Sequence, residues 1–139
     1  MYECKAKLYK ILFKIEQEWN EQLTVFTNDK ILEAVEYIHE HFTDHSLTVN
    51  SLSRRCGMSD TYFRNQFYNI FSMTPLKYIN NLRMNYAHEL LQSHYDTIEE
   101  IAEKCGFNNI NYFSLFVKKQ TGFSPSAYRN RISAETKRE

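Results

Sequence analysis

The sequence predicts an all-α fold: two helix-turn-helix motifs joined by a long connecting helix and preceded by an amphipathic N-terminal helix. Three observations predict it. With only 3 Gly and 2 Pro in 139 residues, there are too few turn-formers for a sandwich or barrel, which needs a turn about every ten residues. Apolar residues recur at spacings of three and four through most of the chain, the period of a helix face. A set of anchor residues also recurs once, at an offset of 49 to 50.

The first helix is expected over 3–23, where Leu8, Ile11, Leu12, Ile15, Trp19 and Leu23 form one stripe and Lys5, Lys10, Lys14, Glu16, Glu18 and Glu21 lie opposite. Thr24 to Thr27 breaks the pattern. Asn28 is then a fair N-cap for a second helix over about 29–42, with Ile31, Leu32, Val35, Ile38 and Phe42 inward. The polar turn Asp44-His45-Ser46 leads to a short helix near 48–56, which Gly57 ends, as a residue tolerant of positive φ does. Ser59 caps a helix over 60–71, with Phe63, Phe67 and Phe71 spaced by four. Thr74-Pro75 supplies a hydroxyl cap followed by Pro at the first helical position, and this connector runs to about residue 92. Asp96 or Thr97 starts a short helix over 98–105, ended by Gly106. Asn108 or Asn109 starts one over 110–121, ended by Gly122, and Ser124-Pro125 starts a last helix to about residue 132. The charged stretch 133–139 is expected to fray.

The repeat pairs Cys56-Gly57-Met58 with Cys105-Gly106-Phe107, Tyr62-Phe63 with Tyr112-Phe113, and Met73-Thr74-Pro75 and Tyr78 with Phe123-Ser124-Pro125 and Tyr128. The offset rises from 49 to 50 between the Cys-Gly and the aromatic pair, so the second copy has one more residue in its turn. Two copies are too few for a solenoid and suit a duplicated motif. A short helix, a turn containing Gly and a second helix is the helix-turn-helix pattern. Leu52, Cys56, Phe63 and Phe67 would glue the first pair, and Ile101, Cys105, Phe113 and Val117 the second. The outer face of each second helix is then free to enter a major groove.

Residues 47–131 resemble the double helix-turn-helix DNA-binding domain of the AraC-type bacterial transcription regulators. The most specific stretch is Ile98-x-x-Ile101-Ala102-x-x-x-Gly106-Phe107, Tyr112-Phe113, Lys118-Lys119, Gly122-Phe123-Ser124-Pro125 and Tyr128-Arg129. Ser72 stands where that family usually has Gly, Ser53 where Ala is usual, and Phe116-Val117 in reversed order. The resemblance implies double-stranded DNA and RNA polymerase as partners. It also implies a sensor or dimerisation domain ahead of the DNA-binding part. Three parts are expected: a linker, dimerisation or sensor-derived helix over 1–25, the DNA-binding domain over 28–132, and a charged tail over 133–139. The stripe Leu8, Ile11, Leu12, Ile15 and Trp19 would pair with a second chain, bind a sensor domain or fold back on this one.

Base reading falls to the exposed face at the start of each second helix. In the first copy these are Asp60, Thr61, Arg64 and Asn65, with Tyr68 a turn further. Arg64 suits guanine and Asn65 adenine. In the second they are Asn109, Ile110, Asn111, Ser114 and Leu115, a face without a cation before Lys118. That face reads through amides, a hydroxyl and apolar contact with thymine methyls. The bland alternatives are capping or solvated surface for Asn109 and Ser114, and a surface salt bridge for Arg64. Phosphate contacts are expected from Arg54, Arg55, Lys118, Lys119, Arg129 and Arg131, and from backbone N–H groups at the helix starts near Thr48 and Thr97. Glu99, Glu100 and Glu103 must face away from DNA. A connector of about 18 residues spans roughly 27 Å, against about 34 Å between successive groove faces.

Formal net charge is zero, but the halves differ: 1–46 carries 5 Lys+Arg and 9 Asp+Glu, whereas 47–139 carries 12 and 8. The basic excess begins where the first motif begins. Three Cys, no C-x-x-C and five His without metal-site spacing argue against a disulfide framework or a metal site, and no cofactor is expected. Reduced thiols, no signal pattern and no membrane-length apolar run point to the cytoplasm. No phosphate loop, H-E-x-x-H or nucleophile elbow is present, so the chain is not expected to be an enzyme. The competing reading is a helical protein-interaction module that keeps the fold and has lost DNA reading.

Overall fold

The computed structural model describes residues 2–138, with side chains described for Leu8 and for 10–138. The side chains of Cys4 and Lys5, and residues Met1 and Glu139, lie outside the described residues. Seven helices follow one another: α1 Tyr2–His41, α2 Val49–Arg55, α3 Asp60–Phe71, α4 Pro75–Ser93, α5 Ile98–Lys104, α6 Ile110–Thr121 and α7 Pro125–Thr136.

Two boundaries differ from the sequence expectation. The break at Thr24–Thr27 is absent, and α1 is one helix of 40 residues. The Thr24 hydroxyl donates to the Asn20 carbonyl at 2.8 Å, a local bond that a β-branched hydroxyl residue can make without leaving the helix. Thr27 is buried, with its hydroxyl 3.5 Å from that of Tyr62 on α3. The expected tail also begins too early. Ser133 and Thr136 belong to α7, the Thr136 hydroxyl donating to the Ile132 carbonyl at 3.0 Å and Ser133 bonding to His94.

The caps follow the repeat. Ser59 and Asn109 accept backbone N–H bonds at the starts of α3 and α6, and Thr74 and Ser124 do so ahead of Pro75 and Pro125. Ser72 and Gly122 end α3 and α6 in the left-handed conformation, at φ 55° and φ 82°.

Each motif has its own core. Ile31, Ala34 and Ile38 of α1 pack with Leu52, Phe63, Phe67 and Ile79. Ala87 and Leu91 of α4 pack with Ile101, Cys105, Phe113, Val117 and Ile132. Burial pushes the Cys105 thiol up to about 12, so it behaves as a small apolar residue. Helix α4 serves both cores along one stripe, with Ile79 in the first and Ala87 in the second. Arg83 lies between them, four residues from each, and is 8% exposed.

Arg83 fixes the junction. Its Nε donates to the Phe42 carbonyl at 2.7 Å and its Nη2 to the Asp44 carbonyl at 3.0 Å. Its guanidinium sits 5.5 Å from the Phe107 ring centre. The same turn meets Gly106, where an added Cβ would come within 2.8 Å of the Thr43 carbonyl oxygen. The turn that opens the first motif is therefore held between α4 and the turn of the second, which sets the orientation of one motif against the other.

Candidate nucleic-acid interface

The two second helices, α3 and α6, each bury one face and leave the outer face open. On α3, Phe63 and Phe67 are fully buried, which turns Thr61, Arg64, Asn65 and Tyr68 outward, and all four are exposed. Arg64 makes no ion pair among the described residues, so the surface-salt-bridge alternative has no partner there. On α6, Phe113, Phe116 and Val117 are buried, and Asn111, Leu115 and Lys118 are exposed with Ser114 half-buried. Leu115 stands 68% exposed, a large apolar side chain open to solvent. Ile110 is half-buried.

Asp60 is placed differently from the expectation. Its carboxylate accepts from the Ser53 hydroxyl and from Asn50 Nδ2 at 3.2 and 3.3 Å. These bonds, the Ser53 one foremost, hold its carboxyl below the usual aspartate range. Asp60 braces α2 against α3 and is not a free base-reading group. Asn109 is the N-cap of α6, with its Oδ1 accepting from the backbone N–H groups of Asn111 at 2.8 Å and Tyr112 at 3.2 Å. Its amide nitrogen is the part left for other contacts.

The expected phosphate-binding cations divide in the same way. Arg54, Lys118 and Lys119 are exposed and form no ion pair among the described residues. Arg55 is stacked on Tyr37 of α1, guanidinium to ring centre 3.9 Å. Arg131 lies 4.9 Å from the Phe123 ring centre and 3.4 Å from Glu135. Arg129 departs from the expectation: its Nη2 donates to the Asp96 carbonyl at 2.7 Å and its Nε is buried without a partner. It secures the turn ahead of α5, as Arg83 secures the turn ahead of α2. The start of α5 is also closed, because the Glu100 carboxylate takes the Thr97 N–H at 2.7 Å. At α2 the corresponding partner is the neutral Ser51 hydroxyl, 3.1 Å from Thr48 N. Glu99 and Glu103 line an open groove with His45, between the motifs.

Sequence reasoning missed Arg83 and a pair of histidines. His39 of α1 bonds to the Tyr78 hydroxyl at 2.8 Å, and His88 of α4 to the Tyr128 hydroxyl at 2.9 Å. The signal was present: Tyr37-x-His39-Glu40 recurs as Tyr86-x-His88-Glu89. The duplication thus extends into the helix ahead of each motif, and each repeated Tyr ties the closing helix to it. Arg83 left no such signal, since its counterpart in the second copy is Ser133.

Comparisons with known proteins agree with this geometry. A helix-turn-helix domain family model matches residues 52–131. The MmsAB operon regulatory protein of Pseudomonas aeruginosa is 31% identical over 96 residues, covering 69% of this chain and 31% of that protein. The arabinose operon regulatory protein of Escherichia coli is 27% identical over 122 residues, covering 88% of this chain and 42% of that one. This chain thus spans less than half the length of both. Among solved structures, the C-terminal domain of the response regulator AraT from Geobacillus stearothermophilus superposes with a TM-score of 0.69 at 32% identity, over 73% of this chain and 84% of that one. The DNA-binding domain of AdpA, solved with a target DNA, gives 0.69 at 28% identity over 76% and 94%. The chain belongs to the AraC-type helix-turn-helix family of transcription regulators.

Proposed function

We propose that this chain is a sequence-specific DNA-binding transcription regulator whose helices α3 and α6 read two adjacent major-groove segments. The observation that carries the reading is the matched pair of helices. They are capped and packed alike, each with a solvated outer face whose side chains have little or no internal work. Thr61, Arg64 and Asn65 are the base readers of the first motif, and Asn111, Ser114 and Leu115 those of the second, with Ile110 at its edge. The amide of Asn109 adds a contact beside its cap. Arg54, Lys118 and Lys119 are the phosphate contacts best supported by their free, exposed cations. Arg55 and Arg131 reach phosphate only by leaving their aromatic partners.

The connector supports the spacing. At 19 residues α4 is about 28 Å long, and with the widths of the flanking helices it suits grooves about 34 Å apart. Residues 28–132 form the reading unit and 1–25 a linking or dimerising helix. RNA polymerase is the partner that the regulatory role requires, and the cytoplasm its setting. The alternative, a protein-interaction module that has lost DNA reading, has no specific observation in its favour.

Fluorescence anisotropy with labelled duplex tests the reading. Binding should weaken steeply with added salt, and Arg64→Ala should weaken binding at the preferred site more than at random sequence. An absence of salt-sensitive binding to any duplex would overturn it.

A further inference from the structure

The outer faces of α3 and α6 are equivalent position by position. At an offset of 50, Thr61, Arg64, Asn65 and Tyr68 correspond to Asn111, Ser114, Leu115 and Lys118. Each set has the three- and four-residue spacing of one helix face. The opposite face is buried in both motifs, through Phe63 and Phe67 in the first and through Phe113, Phe116 and Val117 in the second. The two faces therefore stand alike on their motifs and differ in chemistry.

Two exchanges decide what the second face recognises. Where α3 has Arg64, α6 has Ser114, which is short and half-buried. Where α3 has Asn65, α6 has Leu115, a large apolar side chain 68% exposed. Leu115 projects from the middle of the face, with the shorter Asn111 and Ser114 beside it. A leucine side chain neither donates nor accepts a hydrogen bond. The apolar group that a base edge presents in the major groove is the C5-methyl of thymine, and 5-methylcytosine carries a methyl at the same ring position.

The polar groups around Leu115 adapt to either pyrimidine. The Asn111 amide and the Ser114 hydroxyl each both donate and accept, so they fit the O4 acceptor of thymine or the N4 amino donor of cytosine. No cation stands on this face before Lys118, so α6 lacks the donor-only fork that suits Arg64 to guanine. The discriminating side chain is Leu115, and what it discriminates is the methyl.

We infer that the second motif reads pyrimidine C5-methyl groups through Leu115 and takes 5-methylcytosine in place of thymine, so that cytosine methylation in the α6 half of a site raises affinity for this chain. This rests on the proposal that α3 and α6 read DNA. The first motif supplies the contrast, because Arg64 and Asn65 act through hydrogen bonds and gain nothing comparable from a methyl.

Fluorescence anisotropy on four duplexes tests the inference. The parent is a site selected from a random pool, with thymine in the block that faces α6, recognised as the block whose preference survives Arg64→Ala. The others carry deoxyuridine, cytosine or 5-methylcytosine at those thymines, with the complementary strand matched. Thymine and deoxyuridine differ only in the methyl, as do 5-methylcytosine and cytosine. In each pair the methylated duplex should bind more tightly, by roughly three- to fivefold for each methyl buried. Leu115→Ala, a change at an exposed site, should keep its helical circular dichroism and bring both ratios towards one. Arg64→Ala should weaken all four duplexes and leave both ratios unchanged. Equal binding within either pair, ratios that persist in Leu115→Ala, or a selected site without thymine in that block overturns the methyl reading and leaves the DNA reading standing. A chain that binds no duplex in a salt-sensitive way overturns both.

Discussion

The hydroxyl of Ser53 on α2 donates to the carboxylate of Asp60, the first residue of α3. At the equivalent positions of the second motif stand Ala102 and Ile110, which line one groove together. Where the first motif ties its two helices with a hydrogen bond, the second has apolar side chains at both positions. Ser53→Ala should therefore lower stability only modestly, because the half-buried carboxylate keeps its bonds from Asn50 and regains water. The Asp60 carboxyl is held below its ordinary value, so its contribution is present above about pH 4 and fades as pH falls through the lowered folded value. Urea unfolding should show the wild-type advantage over Ser53→Ala at neutral pH and its loss in acid.

Ser72 holds φ 55° without being glycine. A left-handed conformation costs an L-residue roughly 1–2 kcal/mol, partly offset by the greater freedom of glycine in the unfolded chain. Ser72→Gly should raise stability by up to about 1 kcal/mol and lift the melting temperature by a few degrees. Calorimetry checks it, and an unchanged or lower midpoint contradicts the strain.

Gly106 presents the opposite case. It combines φ 87° with a Cβ position 2.8 Å from the Thr43 carbonyl oxygen, and the atoms that Cβ would meet, the Thr43 and Phe42 carbonyls, all belong to backbone. Gly106→Ala should cost more than about 2 kcal/mol. It should also loosen the contact between motifs, so that affinity for a two-groove site falls further than affinity for a single half. By contrast, an added Cβ at Gly57 meets nothing within 4 Å, although φ is 65° there, so Gly57→Ala should show the backbone cost alone.

Arg83→Met keeps much of the side-chain volume and removes both bonds to the 42–44 turn. The Phe42 and Asp44 carbonyls then lose their donor at the junction, at a cost of roughly 1–3 kcal/mol. Hydrogen exchange should show faster opening around residues 42–47, with α6 protected as before. Arg83→Lys should not rescue, because one ammonium on a flexible stem lacks the planar fork that reaches two carbonyls at once.

How much of this was legible in the sequence follows from what each feature depends on. The caps and turns were readable, since Thr74-Pro75, Ser124-Pro125, Gly57, Gly106 and Gly122 act through local chemistry. The repeat gave the two cores and the faces of α3 and α6. The break assigned to Thr24–Thr27 rested on the interruption of the apolar stripe there, and a back-bond from Thr24 with the burial of Thr27 against α3 carries the helix through it. Asp60 and Arg129 look like surface groups along the chain, and only tertiary contact with Ser53 and the Asp96 carbonyl commits them elsewhere. Arg83 was invisible for the same reason, its partners being backbone carbonyls 39 and 41 residues away.

The central claim is that one chain reads DNA with two helices, and selection of bound duplexes from a random pool tests it most directly. The account predicts an enriched site with two blocks of preference about 10 base pairs apart. The block facing α3 should be the sharper and should contain a guanine lost on Arg64→Ala, and the block facing α6 should be A·T-tolerant. A single short block, or a pool that stays random while binding persists, would contradict it.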